Sequence, residues 1–246
     1  MTNKNNTNNN KPSLSIIIPA YKEAANLRWL LPILKEEAQK SFNDYEIIVV
    51  DASPSLDDTA SVCPQEGVKY LQRTGGNEYG RAVLTGIAAA AKAKIAFMDA
   101  DGSHKPADLA KMYEFADKYD LIIGSRYIKG GATDNSKLLK LESGLLNWLY
   151  RKILGVKTQD ISNSMRIYDA RQLKSLELSC LHFDILEEIL IKLHINFPKL
   201  SVKEAPIHFY RRKEGVSNRR LFVFIFSFLK TALILRRLKK DRKKTC

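Results

Sequence analysis

Two carboxylates one residue apart, Asp99 and Asp101, stand directly after an apolar run in the segment Ile95 to His104, IAFMDADGSH. Both project into one loop opening, and hard oxygen donors of this kind suit Mg²⁺ or Mn²⁺. A divalent ion held there could neutralise a diphosphate leaving group as its charge develops. An isolated pair of this spacing is equally well read as two loop carboxylates or a helix cap, so its meaning depends on what surrounds it. Asp51 also closes an apolar run, and Arg126 follows another. In a sheet of crossover units ligands gather beyond the carboxyl ends of the strands. Three charged residues at that edge are therefore more informative than any one of them.

The elements that must position these residues are legible in the hydrophobic pattern. Short apolar runs over Ser13–Pro19, Tyr45–Val50, Val68–Arg73, Lys94–Met98 and Asp120–Gly124 predict strands. Helical spacing covers Ala24–Lys40, Arg81–Lys92 and Pro106–Tyr119, with Pro106 at an allowed first-turn position. Asp57, Asp58 and Thr59 form a further helix start. Strand and helix alternate, which implies right-handed crossovers, an α/β class and a mainly parallel sheet with helices on both faces. The second half is less regular. Lys137–Gly155 is amphipathic, rich in Leu, and carries Trp148, Tyr150, Arg151 and Lys152. Leu221–Leu235 is apolar apart from Ser227, Lys230 and Thr231. Its helix would be about 22 Å long against a hydrocarbon core of about 30 Å, too short to span a bilayer alone.

The chain has 246 residues, 45% of them hydrophobic, enough for one substantial domain. Residues 1–12 are almost wholly Asn, Thr and Lys and read as a disordered tail, with no apolar segment of a secretory signal. The three cysteines are widely spaced and lack a CxxC pair, so neither a zinc site nor a disulfide framework is expected, and a cytoplasmic setting fits. The net charge of +13 is concentrated at the C-terminal end, where Arg236 to Lys244 hold seven basic side chains against Asp241 alone. Such an excess implies an anionic partner. No recognised DNA or RNA module accompanies it, so nucleic acid is not the expected partner. An apolar helix followed by a basic tail is instead the pattern of a segment lying at an anionic membrane surface.

The carboxylate pair is embedded in a wider constellation. PAYKEAAN, Pro19 to Asn26, follows the first strand; GSRY, Gly124 to Tyr127, follows the fifth. QDISNSMRIY runs from Gln159 to Tyr168, and PIHFYRRKEGVSN from Pro206 to Asn218. In this order and spacing the sequence resembles glycosyltransferase family 2, and within it the dolichyl- or polyprenyl-phosphate mannosyl- and glucosyltransferases, over roughly Leu14 to Asn218. The resemblance implies a GT-A nucleotide-diphospho-sugar transferase fold over 13–218, followed over 219–246 by a membrane-interface amphipathic helix and basic tail. It implies inverting transfer of a hexose from a nucleotide sugar, GDP-mannose or UDP-glucose, to a polyprenyl phosphate by a peripheral protein on the cytoplasmic face of a membrane. Carried over by position, Pro19, Tyr21, Glu23, Asp51 and Asp99 match nucleotide-binding residues. Asp99 and Asp101 match the metal site, with Ser103 where a third ligand stands. Arg126 and Arg212 match basic residues facing phosphates, and Asp160 a polar residue near donor sugar and acceptor, so Asp101, Asp160, Arg126 and Arg212 are the expected catalytic set. The pattern departs at Ala52, where a second acidic residue is usual, and at Arg81, Gly144 and Asn218. No QxxRW motif of processive polysaccharide synthases is present. The alternative is a family 2 transferase acting on a non-lipid sugar acceptor in cell-wall or surface polysaccharide. A hydroxyl acceptor of that kind would need a base, for which Asp160, Glu187 and Glu188 are candidates; the last two read more simply as helix-surface charges.

Overall fold

A computed structural model describes residues 12–212. The elements in chain order are β1 (Leu14–Pro19), α1 (Ala24–Ser41), β2 (Tyr45–Asp51), α2 (Thr59–Gln65), β3 (Lys69–Gln72), α3 (Tyr79–Ala89), β4 (Lys94–Phe97) and α4 (Pro106–Tyr113). They continue with β5 (Leu121–Ser125), β6 (Ala132–Thr133), α5 (Lys137–Leu154), β7 (Arg166–Asp169), α6 (Ala170–Lys174), α7 (Ile185–Asn196), β8 (Val202–Pro206) and β9 (His208–Phe209).

Seven strands form one sheet in the order β3-β2-β1-β4-β7-β5-β8, and β6 pairs with β9 in a small separate ladder. The strands of the large sheet run parallel except β7, which is antiparallel to both β4 and β5. The α/β class and the mainly parallel sheet match the expectation from sequence. The sheet is sandwiched. One core face collects Ile16, Ile18 and Val49 with the inner side of α1 and α4, and the other collects Ile17, Ile48 and Val50 with α3, α5 and α7. The strands alternate between these two faces, so both must be apolar, which is why their sequences read as continuous hydrophobic runs. Helix α1 buries Leu27, Leu30, Leu31, Leu34 and Ala38 completely, the spacing of a single helical stripe. Each such Leu contributes about 1.5–3 kcal/mol.

The expected helix start at Asp57 to Thr59 has two roles. The Asp57 carboxylate accepts the Thr59 N–H, which opens α2, and the Ala24 N–H, which opens α1. Burial would raise its pKa, but these bonds and the Arg28 charge outweigh that and hold it below the usual carboxylate range. Gly155 ends α5 with a left-handed φ of 62°.

Three expectations are amended. The fourth helix stops at Tyr113, short of Tyr119, and turns carry the chain onward. Glu187 and Glu188 are not surface charges: each is about 1% exposed on α7. Glu188 accepts the N–H groups of Ser179 and Cys180 and pairs with Lys192 at 2.7 Å, so it closes off the loop before its own helix. Pro12, placed in the expected tail, has its carbonyl fixed by the Tyr113 hydroxyl at 2.7 Å. The rest of that tail, the motif residues after Arg212, and the expected helix and basic tail over 219–246 lie outside the described residues. Among the described residues no helix is long and apolar enough to cross a membrane.

Candidate active site

Parallel pairing puts the carboxyl ends of β1, β2, β4 and β5 on one edge. Register levels them: Pro19 stands opposite Val50, Asp51 opposite Gln72, and Ile17 opposite Phe97. Strand order reverses between β1 and β4, the switch point at which such sheets open a crevice. Because β7 is antiparallel and begins at Arg166, opposite both Phe97 and Ile123, the loop before it is delivered to the same edge. The crevice is thus framed by the turns after β1, β2, β4 and β5 and by residues 159–165.

At the β1–β2 side, Asp51 is wholly buried. Its Oδ2 accepts the hydroxyls of Ser55 at 2.5 Å and Tyr70 at 3.2 Å, while Oδ1 has no hydrogen-bond partner among the described residues. A buried carboxylate oxygen left unsatisfied is costly, so this oxygen is available to a further donor. Arg73 frames the same side. It donates to the carbonyls of Asp51 and Asn77 at 3.1 and 2.8 Å, and also to that of Ala20, and lies 5.8 Å over the Tyr21 ring. It ties three turns together by their backbones.

The carboxylate loop is held from three directions. Ser164 Oγ donates to Asp99 Oδ1 at 2.8 Å. The Asp99 N–H donates to Nδ1 of buried His104 at 3.2 Å, and His104 Nε2 meets Asn163 Oδ1 at 2.9 Å. The His104 ring thus links the Asp99 backbone to Asn163. Gly102 turns the loop with φ +77°, and a Cβ there would sit 2.4 Å from the Trp29 ring, so only glycine closes this turn. Ser103 donates through N–H and Oγ to Asp101 Oδ1, at 3.0 and 2.6 Å. These two bonds orient the Asp101 carboxylate.

Arg212 bridges the carboxylates. Its Nε and Nη2 reach Asp101 Oδ2 at 3.0 and 2.9 Å, and Nη1 lies 3.6 Å from Glu23 Oε1. Burial alone would raise the Asp101 carboxyl, but the two Ser103 bonds and the Arg212 charge outweigh it and hold it below its ordinary value. Glu23 moves the other way: burial raises it, against the opposing Asn26 bond and Arg212 charge.

Arg126 and Asp160 form a pair. Asp160 Oδ2 accepts Arg126 Nε at 2.7 Å and its backbone N–H at 3.0 Å, and Oδ1 accepts Nη2 at 2.8 Å. The side chains are 8% and 0% exposed. Burial opposes the Arg126 charge, but Asp160 more than compensates and raises its pKa. Sequence reasoning expected Arg126 to face phosphates and Asp160 to face sugar or acceptor; in this structure each is occupied by the other. Glu204 on β8 takes the N–H groups of Gln159 and Asp160, at 2.9 and 3.1 Å. Buried Arg166 donates to the carbonyls of Asn163 and Leu186, at 2.8 Å each, and to Ile161.

The expected residues therefore fall into three groups along one edge: Pro19, Tyr21 and Asp51 at β1–β2; Glu23, Asp99, Asp101, Ser103 and Arg212 at the centre; Arg126 and Asp160 on the β5 side. Arg73, His104, Asn163, Arg166 and Glu204 were missed. His104 lies within the DADGSH segment, and Asn163 and Arg166 within QDISNSMRIY, but nothing in those segments gave them a role.

Among the described residues no group of three or more His, Cys, Asp or Glu side chains is arranged to hold a metal ion. The donor chemistry still fits one. Mg²⁺ and its analogues are commonly held by one or two carboxylates and completed by substrate phosphates, and Asp99 Oδ2 lies 3.7 Å from His104 Nδ1.

Residues 15–176 match the family model described as Glycosyl transferase family 2. A polyprenol monophosphomannose synthase of Mycolicibacterium smegmatis is 32% identical over 220 residues, spanning 82% of this chain and 79% of that protein. An undecaprenyl-phosphate mannosyltransferase of Micrococcus luteus is 32% identical over 82% of this chain and 85% of its own length. A dolichol-phosphate mannosyltransferase of Pyrococcus furiosus is 32% identical over 83% of this chain but only 58% of its own length. In fold, the chain is similar to glucosyl-3-phosphoglycerate synthase of Mycobacterium tuberculosis, solved with Mn²⁺, UDP and glucosyl-3-phosphoglycerate. The TM-score is 0.67 at 17% identity, covering 91% of this chain and 80% of that one.

Proposed function

The chain belongs to glycosyl transferase family 2, and on that premise we propose that it moves a hexose, mannose in the first instance, from a nucleotide-diphosphate sugar to a polyprenyl phosphate at a membrane surface. The three relatives at 32% identity carry this acceptor class in their names, and mannose is the sugar they share. The central carboxylates support a diphosphate donor, and the unsatisfied Asp51 oxygen supports a base with an N–H to offer.

One observation carries the choice of a phosphate acceptor. A hydroxyl acceptor needs a base, yet Asp160 is spent on Arg126, and Glu187 and Glu188 are each about 1% exposed on α7, Glu188 beneath a hydrogen-bonded loop. A phosphate is already ionised near neutral pH and needs positioning and charge stabilisation instead. The mechanism follows from that. Asp51 and the Arg73-braced turns seat the nucleoside. A divalent ion held by Asp99 and Asp101 would supply charge stabilisation for the departing diphosphate. Arg212, already on Asp101 and Glu23, is the cation proposed to contact phosphate oxygens, since a planar guanidinium suits bidentate contact. The Arg126–Asp160 pair fixes the loop on the β5 side, from which the acceptor approaches the anomeric carbon.

Thermal unfolding with GDP and UDP, each with and without Mn²⁺, tests the donor half. Ligand at a hundredfold excess over its Kd stabilises by about 2.7 kcal/mol. One of the two, with Mn²⁺, is expected to raise Tm, and Asp51→Asn to weaken the shift. A Tm that no nucleotide moves would overturn the reading.

A further inference from the structure

Helix α5 reaches the site through one buried side chain. Asn147 Oδ1 accepts the N–H groups of Ile161 and Ser162, at 2.8 and 3.2 Å, and its Nδ2 stands 3.5 Å from Ser162 Oγ. Ser162 Oγ also accepts Arg126 Nη2 at 2.9 Å. A continuous set of polar contacts thus runs from Asn147 through Ser162 and Arg126 to Asp160. The loop has no strand partner for these two N–H groups, so the Asn147 carbonyl takes the place of a ladder.

Among the described residues, the other side of the same helix is exposed. Leu141, Leu145 and Trp148, at i, i+4 and i+7, are 70%, 61% and 53% exposed and make one stripe. Exposed Lys140 flanks it and exposed Lys152 continues it by one more turn. An exposed apolar line with cationic neighbours on an amphipathic helix fits the headgroup region of an anionic bilayer.

We infer that Asn147 is a positioning residue: it fastens the loop carrying Asp160 to a helix whose outer face docks on anionic lipid, so that membrane contact steadies the acceptor side of the site. The inference rests on the lipid-acceptor reading for its purpose, but its test does not require turnover. Hydrogen exchange at the Ile161 and Ser162 amides would be followed with and without vesicles of equal parts phosphatidylcholine and phosphatidylglycerol. In the wild type, vesicles are expected to slow exchange about tenfold, the scale of one or two hydrogen bonds. Asn147→Leu, near in size but without an acceptor, should sediment with the vesicles as the wild type does yet show no slowing. Asn147→Asp restores the acceptor and should restore the response; it also serves if the Leu variant does not fold. Leu145→Gln/Trp148→Gln should lose vesicle binding while keeping nucleotide affinity. Slowing in Asn147→Leu equal to the wild type, vesicle binding without any change at these amides, or vesicle binding that the stripe variant retains would each overturn the inference. Absence of transfer to polyprenyl phosphate, with the exchange response intact, would instead count against the proposed function alone.

Discussion

Replacing Asp160 by Ala removes three hydrogen bonds and one of two charges from a place water barely reaches. Arg126 would keep its guanidinium, 8% exposed, with Ser162 Oγ as its remaining polar side-chain contact at 2.9 Å. An ionised group stranded in this way costs about 3–5 kcal/mol. For a domain of this size each kcal/mol lowers Tm by about 2–4 °C, so a fall of about 6–20 °C is expected. Arg126→Ala strands Asp160 instead and should cost a similar amount. Removing both charges together, as Arg126→Met/Asp160→Leu, leaves neither orphaned and is expected to cost less than either single change. Urea unfolding followed by tryptophan fluorescence would give the four free energies of the cycle with alanine at both positions. A coupling energy of about 2 kcal/mol or more is expected, in the upper part of the range for residues in contact. Singles that add to within about 0.5 kcal/mol would refute the reasoning and return Arg126 to the role of an independent phosphate ligand.

Two further outcomes follow from the same geometry. Gly102→Ala forces a Cβ against Trp29 at a φ of +77° and should destabilise by about 1–3 kcal/mol. By displacing Asp101 it should also weaken Mn²⁺-supported nucleotide binding about 10–100-fold, measured by calorimetry. Glu188 is held below the usual Glu range: burial raises it, but the Lys192 bond and the Cys180 and Ser179 donors lower it further. The folded state therefore releases that proton more readily than the unfolded chain, and the stability this confers is present above the unfolded pKa and lost as pH falls through the folded one. Glu188→Gln should cost about 2–3 kcal/mol near neutral pH and flatten the acid limb of the stability curve, read by urea unfolding between pH 7 and pH 3.

What sequence disclosed and what it withheld divide along a physical line. Strands such as Leu14–Pro19 and Tyr45–Asp51 are buried on both faces, so their apolar runs declared them, and their carboxyl ends declared Asp51 and Asp99 as edge residues. Gly155 marked the end of α5 because only a left-handed residue closes it cheaply. Strand β7 was missed: four residues inserted antiparallel between β4 and β5 carry no periodicity long enough to register. Partnership was missed for a different reason. Arg126 and Asp160 were both singled out, but nothing local says that residues 34 apart will neutralise each other. Glu187 and Glu188 looked like exposed charges because adjacent carboxylates on a helix usually are; the donors that satisfy Glu188 come from a loop with no pattern of its own.

The most direct test of the account is transfer itself. Full-length protein would be incubated with Mn²⁺, GDP-mannose labelled in the sugar, and polyprenyl phosphate in anionic vesicles, and the label partitioned by organic extraction. The account predicts label in the organic phase that depends on the lipid phosphate and falls about 100-fold or more in Asp101→Ala. Label that stays wholly aqueous, or an Asp101→Ala protein that transfers as well as the wild type, would contradict it.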